Sequence, residues 1–321
     1  MAASSHSAPR LAVSVVVPVF GSRKTLQPLV DRINAALSQI THEIILVDDG
    51  SPPDTWEVLS ELTSTRPFLK CIRLSRNFGQ HSALLAGIRS AQFGIVATLD
   101  DDLQNPPEAI PVLVDALVSS GNDVIYGTPA SVSRERWRVA GSAWSKSAMS
   151  LLLGAQSAKK ISSFRAFRTE LREGFAAHLG PSVSIDALLS WSTTRFGSVE
   201  VPHSSREDGS SNYNFRKLAK FALDTATGYS SGPLRLSISV GFATAALGFC
   251  ILGYVLVRFF IGGSVVPGFT FLAALISILS GSQLLALGIM GEYLARMHFR
   301  IMNKPTFVIS EVRQSKGSST T

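Results

Sequence analysis

The chain has 321 residues, of which 45% are hydrophobic and only 17% are charged, below the roughly 25% that soluble proteins carry. Lys and Arg outnumber Asp and Glu by 30 to 23, which gives a formal net charge of +7. A basic balance suits an anionic membrane surface, a phosphate-bearing substrate or nucleic acid, but the chain has no recognisable nucleic-acid-binding module, so nucleic acid is not an expected partner.

In chain order, residues 1–10 are small and polar and lack the basic start and apolar core of an export signal, so a flexible tail is expected. Beyond it, apolar β-branched runs alternate with segments of helical spacing. The expected strands are 12–19, 43–47, 69–74, 95–99 and 123–126, and the expected helices are 25–38, 55–63, 81–91 and 106–119. This alternation predicts an α/β fold over residues 11–205, with a doubly wound, mostly parallel sheet.

Two of the expected strands end in acidic clusters, and ligands of doubly wound sheets bind beyond the carboxyl ends of the strands. The first strand is not followed by GxGxxG, and GxxxxGK[ST] occurs nowhere in the chain. These absences disfavour dinucleotide redox enzymes and P-loop NTPases. Cys71 and Cys250 are far apart in the sequence and are interpreted as buried thiols, without a disulfide or a zinc site.

Asp100, Asp101 and Asp102 follow the fourth expected strand. Because extended backbone alternates the direction of its side chains, Asp100 and Asp102 are expected to point the same way while Asp101 points elsewhere. Two carboxylates on one side form a hard-oxygen site for Mg2+ or Mn2+, to which Gln104 can add an amide oxygen. An acidic turn that faces solvent is the alternative, because an Asp-x-Asp pattern alone is weak evidence.

Asp48 and Asp49 follow the second expected strand. A carboxylate at a strand end can accept hydrogen bonds from a base N–H or a ribose hydroxyl, and contact with a nucleotide is the favoured interpretation. Asp49 as the N-terminal cap of the next helix is the alternative.

Residues 206–235 form a basic segment that is expected to lie at a membrane interface. Apolar residues recur at helical spacing at positions 213, 215, 218, 221 and 222, with basic residues at 216, 217 and 220 on other faces. This pattern is typical of a helix lying along anionic headgroups. An amphipathic helix packed on the preceding domain remains open as the alternative.

Two long apolar segments follow. Residues 237–257 and 264–291 contain no charged residue, and about 20 residues suffice to cross the hydrocarbon core as helix. We expect a hairpin of two transmembrane helices, 236–261 and 265–291, rather than two buried core helices. Small residues at 241, 248, 281 and 288 permit close helix contact and therefore a homo-oligomer.

The orientation of this hairpin follows from the flanking charges. Basic residues lie before the first apolar segment and after the second, whereas Arg258 alone lies in the connection. By the positive-inside rule, the domain before the hairpin and the tail of residues 292–321 are both cytoplasmic. The chain is thus expected to be a two-span protein of the inner or plasma membrane, in contact with the lipid bilayer.

Several ordered motifs resemble those of one known family. They are Val15-Val16-Val17-Pro18-Val19-Phe20, Ile45-Leu46-Val47-Asp48-Asp49-Gly50-Ser51, Arg76-Asn77-Phe78-Gly79-Gln80, Leu99-Asp100-Asp101-Asp102-Leu103-Gln104-Asn105-Pro106-Pro107-Glu108, Ser163-Phe164-Arg165-Ala166-Phe167-Arg168 and Arg206-Glu207-Asp208-Gly209. Over residues 11–300 the chain resembles family 2 glycosyltransferases of the GT-A fold. It is similar to their polyprenyl-phosphate subgroup, which includes dolichol-phosphate mannose synthase and bacterial undecaprenyl-phosphate glucosyl- and aminoarabinosyltransferases.

The resemblance implies roles for individual residues. Pro18, Phe20, Val47 and Asp49 would line the nucleotide pocket, with Asp48 and the Asp101 backbone beside them. Asp100, Asp102 and Gln104 would hold the metal and the diphosphate, and Arg206 would reach a phosphate of the donor or the acceptor. Asp186 is interpreted either as a group that orients the donor sugar or as a helix cap.

The sequence departs from the family pattern at three places. Ser22 occupies a position where the family usually has Glu. Pro129 stands where an Arg is common, so Arg134 or Arg136 is the expected substitute. The common Ser-Lys-Tyr reads Ser211-Asn212-Tyr213, with Lys217 as the expected replacement for the lysine. Arg134, Arg136, Ser211, Tyr213 and Lys217 are thus the lipid-phosphate candidates.

By this resemblance the chain is expected to be a metal-dependent glycosyltransferase. It would move a sugar, with inversion, from a nucleotide donor to an undecaprenyl- or decaprenyl-type phosphate, and UDP-glucose is the first expectation for the donor. The alternative donors are UDP-GalNAc, UDP-GlcNAc, UDP-aminoarabinose and GDP-mannose. A non-catalytic, membrane-tethered nucleotide-sugar-binding protein is the alternative of a different class.

Overall fold

The computed structural model describes residues 11–129, 162–176, 178, 180, 183–202, 232–262, 268–302 and 304–315. The chain divides into two compact units, the first within residues 1–214 and 304–321 and the second within residues 215–303.

The first unit is built on a mixed, mostly parallel sheet of eight strands in the order β7-β5-β6-β4-β1-β2-β3-β8. The strands are β1 (Ala12–Val19), β2 (Thr41–Asp48), β3 (Leu69–Leu74), β4 (Ile95–Thr98), β5 (Val124–Pro129), β6 (Arg165–Arg168), β7 (Phe196–Val201) and β8 (Ile309–Gln314). Strands β4, β1, β2 and β3 are adjacent in this order, and each pairs in parallel with the next. Strand β6 runs antiparallel to β4 and β5, and β8 runs antiparallel to β3.

Among the described residues of the first unit, five α-helices connect these strands. They are α1 (Arg23–Ala36), α2 (Pro53–Thr65), α3 (Gln80–Ser90), α4 (Ile110–Ser119) and α5 (Ile185–Ser192), with short 3-10 helices at Pro107–Ala109 and Thr169–Phe175. The side chains of β1 are almost entirely buried, as expected for a central strand covered on both faces. Helix α3 packs so closely on β1 that a Cβ at Gly87 would lie 2.3 Å from Val16 Cγ1.

The sequence-based prediction of the first half of the sheet is confirmed. Strands β1 and β3 have the expected bounds, and the remaining expected strands and helices up to residue 129 differ from the structure by a few residues at their ends. The predicted α/β fold with a mostly parallel sheet is correct. Strands β6, β7 and β8 and helix α5 were not predicted. The sheet is mixed because β6 and β8 run antiparallel to their neighbours, whereas β7 pairs in parallel with β5.

The second unit contains two long helices, α6 (Gly232–Gly262) and α7 (Gly268–Ile301). Within the described residues, only α7 has a stretch long and apolar enough to cross a membrane, Ile278–Ala295, and none of that stretch is buried. Helix α6 carries the shorter apolar stretch Ser237–Ile251. The described residues therefore contain one apolar stretch of spanning length where a hairpin of two spanning helices was expected from the sequence.

Candidate functional site

The carboxyl ends of β1, β2 and β4 meet at one edge of the sheet. Val19 of β1 is in register with Asp48 of β2, and the N–H of Asp49 donates to the Val19 carbonyl at 2.9 Å. The N–H of Leu99, just past β4, lies 3.4 Å from the Val16 carbonyl. Both acidic clusters therefore lie in loops that leave the same edge, as the rule for ligand sites in α/β sheets predicts.

Of the three aspartates after β4, Asp101 and Asp102 lie in a turn, so the expectation that extended backbone continues through all three is wrong. Strand β4 ends at Thr98, and residues 101–105 form turns and bends. Leu103 has a φ of 58°, in the left-handed region that non-glycine residues rarely adopt. The side chains separate because each is hydrogen-bonded to a different partner, and the pleat of a strand plays no part.

Asp101 points back toward β1. Its Oδ2 accepts a hydrogen bond from the Phe20 N–H at 3.2 Å, and its carbonyl accepts one from Thr25 Oγ1 at 2.7 Å. Burial raises the pKa of Asp101, as do the neighbouring Asp100 and Asp102, whereas hydrogen bonds from the Ser22 side chain and the Phe20 N–H lower it. Ser22, where the family pattern has Glu, thus donates to a carboxylate that a Glu would repel.

The Asp100 carboxylate accepts hydrogen bonds from two side chains. Its Oδ1 accepts a hydrogen bond from Gln80 Nε2 at 2.5 Å, and its Oδ2 accepts one from Ser163 Oγ at 2.6 Å. The Ser163 carbonyl in turn accepts from Thr98 Oγ1 at 2.7 Å. Gln80 and Ser163 were not predicted as site residues, although both stand inside motifs that carried the resemblance.

Asp102 is hydrogen-bonded within the turn itself. Its Oδ1 accepts a hydrogen bond from the Gln104 N–H at 3.2 Å. Asp102 and Gln104 are both half-buried. Within the described residues, no group of three or more His, Cys, Asp and Glu side chains is placed to hold a metal. Two carboxylates and an amide oxygen nevertheless fit Mg2+ or Mn2+, which bind hard oxygen ligands and commonly keep water and substrate phosphates in their shell.

In the acidic cluster after β2, the Asp49 carboxylate accepts hydrogen bonds from backbone N–H groups. Asp49 Oδ1 accepts a hydrogen bond from the Phe78 N–H at 2.7 Å, and Asp49 Oδ2 accepts one from the Gly79 N–H at 2.8 Å. Burial raises the pKa of Asp49, and these two backbone bonds lower it. Helix α2 begins after Pro52 without a side-chain cap, so Asp49 is not its N-cap.

Asp48 is fully buried beside Asp49. Its Oδ1 accepts a hydrogen bond from the Ser51 N–H at 2.8 Å, and its Oδ2 lies 3.5 Å from Arg73 Nε. The two aspartates thus fix the turn after β2 and the loop after β3. Both Asp49 oxygens and Asp48 Oδ1 accept hydrogen bonds within the protein, whereas Asp48 Oδ2 is buried without a hydrogen-bond partner and has only its ion-pair contact with Arg73. Direct contact of either aspartate with a nucleotide stays a prediction.

Gly50 lets these two loops approach each other. Its φ is 73°, and a Cβ there would lie 2.5 Å from Arg76 C and Asn77 N. Only glycine combines this backbone conformation with this contact. The turn after β2 and the loop after β3 therefore form one packed unit.

A buried polar network lies behind Asp100. The guanidinium of Arg165 pairs with the Asp186 carboxylate and donates from Nε to Thr98 Oγ1 at 3.2 Å, and the Tyr126 hydroxyl donates to Asp186 at 2.9 Å. Burial and the Asp186 carboxylate raise the pKa of Tyr126 well above its usual value. Ser184 is the N-cap of α5, so Asp186 is not the cap of this helix. Its contacts are with Arg165 and Tyr126, and a role in orienting the donor sugar stays a prediction.

The remaining predicted site residues differ in exposure or lie beyond the described ranges. Phe20 is 58% exposed at the edge of the sheet, whereas Pro18 and Val47 are buried. Arg206 and the lipid-phosphate candidates Arg134, Arg136, Ser211, Tyr213 and Lys217 lie outside the described residues.

Comparison with known proteins gives a consistent result. The family model described as Glycosyl transferase family 2 matches residues 14–175. The undecaprenyl-phosphate 4-deoxy-4-formamido-L-arabinose transferase of Pseudomonas savastanoi pv. phaseolicola (strain 1448A / Race 6) is 34% identical over 313 residues, covering 94% of this chain and 91% of that protein. The protein of the same name from Proteus mirabilis (strain HI4320) is 34% identical over 306 residues, covering 94% and 93%.

A solved structure has a similar fold. The glucosyl-3-phosphoglycerate synthase of Mycobacterium tuberculosis, in complex with phosphoglyceric acid, is 17% identical with a TM-score of 0.50 and covers 69% of this chain and 80% of that chain. At this identity the likeness concerns the fold alone. It agrees with the predicted GT-A-like α/β architecture of the first unit.

Proposed function

The chain belongs to glycosyl transferase family 2, and from this premise we propose that it transfers a sugar from a nucleotide donor to undecaprenyl phosphate, with inversion at the anomeric carbon. Membership in the family makes the chain a glycosyltransferase, as predicted. The acceptor is proposed because the relatives that align over 94% of the chain carry it in their names. The inversion was implied by the resemblance.

The observation that carries this proposal is the pair of acidic loops at the joined ends of β1, β2 and β4. One loop holds Asp100 and Asp102 through side-chain and turn contacts. The other holds Asp49, which clamps the Phe78–Gly79 backbone beside them. A nucleoside diphosphate that lies across this edge would meet the carboxylates that can share a cation with its phosphates.

Asp100, Asp102 and Gln104 are the proposed ligands of a divalent cation. When bound, Mg2+ or Mn2+ supplies Lewis-acid stabilisation of the charge that grows on the departing diphosphate. Gln80 and Ser163 fix the direction of the Asp100 carboxylate. Asp101 faces Phe20 and orders the loop without joining these ligands.

The chemistry requires little proton transfer. An oxygen of the lipid phosphate forms the new bond to the anomeric carbon as the bond from that carbon to the donor diphosphate breaks, and the electron pair leaves with the nucleoside diphosphate. The phosphate is already an anion near neutral pH, so no strong general base is needed. Positioning of the two substrates and charge stabilisation would supply most of the rate enhancement.

The second unit is the proposed membrane anchor. Large apolar side chains on both helices are exposed, including Phe242, Phe249, Phe260 and Ile261 on α6 and Leu284 and Leu294 on α7. Exposed apolar surface of this extent calls for a hydrophobic environment. We propose that α6 and α7 both cross the membrane, with the catalytic unit on the cytoplasmic side as the flanking basic residues predict.

Of the donors considered, an aminoarabinose derivative is now favoured over glucose. The relatives that align over nearly the whole chain are named for 4-deoxy-4-formamido-L-arabinose. UDP-glucose, the first expectation from sequence, has no comparable support. We therefore propose the nucleotide-linked 4-deoxy-4-formamido-L-arabinose as the donor.

The test is a transfer assay with the full chain in detergent. Purified protein is incubated with undecaprenyl phosphate, Mg2+ or Mn2+, and in separate reactions UDP-glucose, UDP-GlcNAc, UDP-GalNAc, GDP-mannose or UDP-4-deoxy-4-formamido-L-arabinose. Mass spectrometry of the lipid fraction should detect glycolipid with the last donor, and chelation of divalent ions should abolish it. Product with UDP-glucose alone would restore the first expectation for the sugar. Donor binding without glycolipid from any donor would contradict the transfer reaction.

A further inference from the structure

A cavity of about 320 Å3 lies in the first unit, next to the acidic edge. One wall is the loop of residues 76–79, which connects β3 to α3. The other wall is residues 304–306, part of the segment that follows α7 in the chain. The side chains of these two walls have no part in the transfer step described above.

The charges that line the cavity are positive. Arg76 and Lys304 each contribute a cation, and the lining residues include no carboxylate. The Arg76 guanidinium lies 4.1 Å from the centre of the Phe78 ring and donates to the Asn77 carbonyl at 3.3 Å. A guanidinium and an ammonium group that share one polar cavity suit a phosphate, for which both side chains are common ligands.

Both walls are hydrogen-bonded to other segments of the first unit. Thr306 Oγ1 donates to the Gly180 carbonyl at 2.9 Å, and the Ser75 N–H donates to the Val308 carbonyl at 2.9 Å. Opposite them, Asp49 binds the backbone of the loop at Phe78 and Gly79. The two cations are thus attached to backbone that is held in place on either side.

The cavity is next to the candidate catalytic carboxylates. Gly79 in its lining is followed by Gln80, whose Nε2 lies 2.5 Å from Asp100 Oδ1. Helix α3 begins at Gln80, so the positive end of its dipole adds to the potential near the loop. A phosphate bound here would lie within reach of the edge where the donor is proposed to bind.

We propose that this cavity is a phosphate subsite of the transfer reaction and that its occupant is the phosphate of the polyprenyl acceptor. The inference rests on the proposed function. The acceptor is chosen over the donor diphosphate because Lys304 follows α7, the helix with a stretch of membrane-spanning length, by three residues in the chain. Residues close to the end of a spanning helix are suited to meet lipid headgroups.

Binding measurements on the full chain in detergent test the subsite without requiring turnover. Farnesyl phosphate represents the lipid phosphate, farnesol controls for the apolar chain, and UDP probes the donor site. Lys304→Ala and Arg76→Ala should each weaken farnesyl phosphate binding by about tenfold or more, because each removes a charge-assisted hydrogen bond. UDP affinity should change by less than about twofold in Lys304→Ala, and farnesol should bind wild type and variants equally.

Two further variants make the result specific. Lys304→Arg keeps the charge and should retain most of the farnesyl phosphate affinity. Arg313→Ala removes a positive charge from the same C-terminal segment, but its guanidinium lies against Trp56 and pairs with Glu311, so the affinity should not change. Melting temperatures of all the variants show whether a loss of farnesyl phosphate affinity reflects unfolding. If Lys304→Ala is unfolded, Lys304→Met replaces it as the variant without the charge.

Three results would overturn the inference. Weaker UDP binding with unchanged farnesyl phosphate binding would assign the cavity to the donor diphosphate. Equal binding of both ligands by wild type and the two alanine variants would remove the subsite altogether. A loss in Arg313→Ala as large as in Lys304→Ala would show a general effect of net charge. If wild type bound farnesyl phosphate through Lys304 but formed no glycolipid, the proposed function would fail while the subsite stood.

Discussion

The two acidic loops at the edge of the sheet differ in what binds their carboxylates. Asp49 accepts hydrogen bonds from two backbone N–H groups, and its neighbour Asp48 is fully buried beside Arg73. Asp100 accepts from the side chains of Gln80 and Ser163, which can rotate. Backbone partners cannot leave without moving the chain, whereas side-chain partners can exchange for a ligand. The loop after β2 is therefore suited to support structure, and the loop after β4 to bind a ligand.

The largest expected effect is a loss of transfer activity when the loop after β4 is changed. Asp102→Ala should lower kcat by about 10²–10³-fold, the cost of removing one group that stabilises transition-state charge. Its unfolding free energy should stay within about 0.5 kcal/mol of wild type. The transfer assay and urea denaturation of the detergent-solubilised protein measure the two quantities. The control is Asp115→Asn, which changes an exposed carboxylate of α4 and should alter neither kcat nor the unfolding free energy. Full activity in Asp102→Ala would refute the proposed role of the loop after β4.

Gly50→Ala should have the next largest effect, on stability. A left-handed φ costs a residue with a Cβ about 1–2 kcal/mol, and overlap with Arg76 and Asn77 adds about 1–3 kcal/mol. Gly121 is a matched control, because it has a φ of 67° and no atom within 4 Å of the position that a Cβ would take. Gly121→Ala should show the conformational cost alone. Equal losses of unfolding free energy in the two variants would mean that the packing of the two loops contributes nothing.

Asp49→Asn compares the two loops directly. An asparagine accepts through one oxygen only, and its NH2 group would face one of the two backbone N–H groups. An unsatisfied buried donor costs about 1–3 kcal/mol, and the unfolding free energy should fall by that amount. Asp100→Asn is the matched change at the other loop, where the side-chain partners can reorient, and it should cost less. A larger loss in Asp100→Asn would reverse the assignment of the two loops.

Ser163→Ala should produce a smaller effect. It removes one of the two hydrogen bonds on Asp100 and should lower activity by about 2–10-fold. Because the carboxylate is positioned less well, the Mg2+ or Mn2+ concentration for half-maximal activity should rise, which a purely structural role would not cause. Ser119→Ala, which loses a bond to a backbone carbonyl on the outside of α4, is the control. An unchanged metal titration would count against the role of Ser163.

The smallest effect concerns pH. Burial raises the pKa of Asp49, so the folded state keeps the proton at pH values where the unfolded chain has released it. The contribution of this carboxyl group to stability is therefore present below its unfolded pKa and declines as pH rises through the folded pKa. The unfolding free energy of wild type minus that of Asp49→Asn should fall over this range and then level off. A difference that increased with pH would contradict the direction of the shift.

The first half of the fold could be predicted because its signals are local. Strand β1 is an apolar β-branched run, and α1 has apolar residues at helical spacing, so the period of each segment indicates its structure. Strands β6 and β8 could not be predicted this way. Strand β6 has only four residues, two of them arginines, and β8 is largely exposed. Each depends on pairing with a distant strand and has no periodicity of its own.

The position of the acidic loops at strand ends could be predicted from the sequence, whereas the geometry of the candidate site could not. The carboxylates of Asp100 and Asp102 and their position at a strand end were anticipated, whereas the turn at Leu103 depends on a single backbone angle that the sequence does not signal. Gln80 and Ser163 are 20 and 63 residues from Asp100 in the chain. Contacts at that separation become visible only when the sheet brings β4, β6 and α3 together.

The antiparallel pairing of β8 with β3 also has a consequence for biosynthesis. Residues 309–314 cover the edge formed by residues 69–74, so most of the polypeptide emerges from the ribosome before that edge acquires its partner. Until then the unpaired N–H and C=O groups of β3 are a template to which another nascent chain can attach. Completion of the sheet requires closing a very long loop, and we expect it to be among the last events in the maturation of the protein.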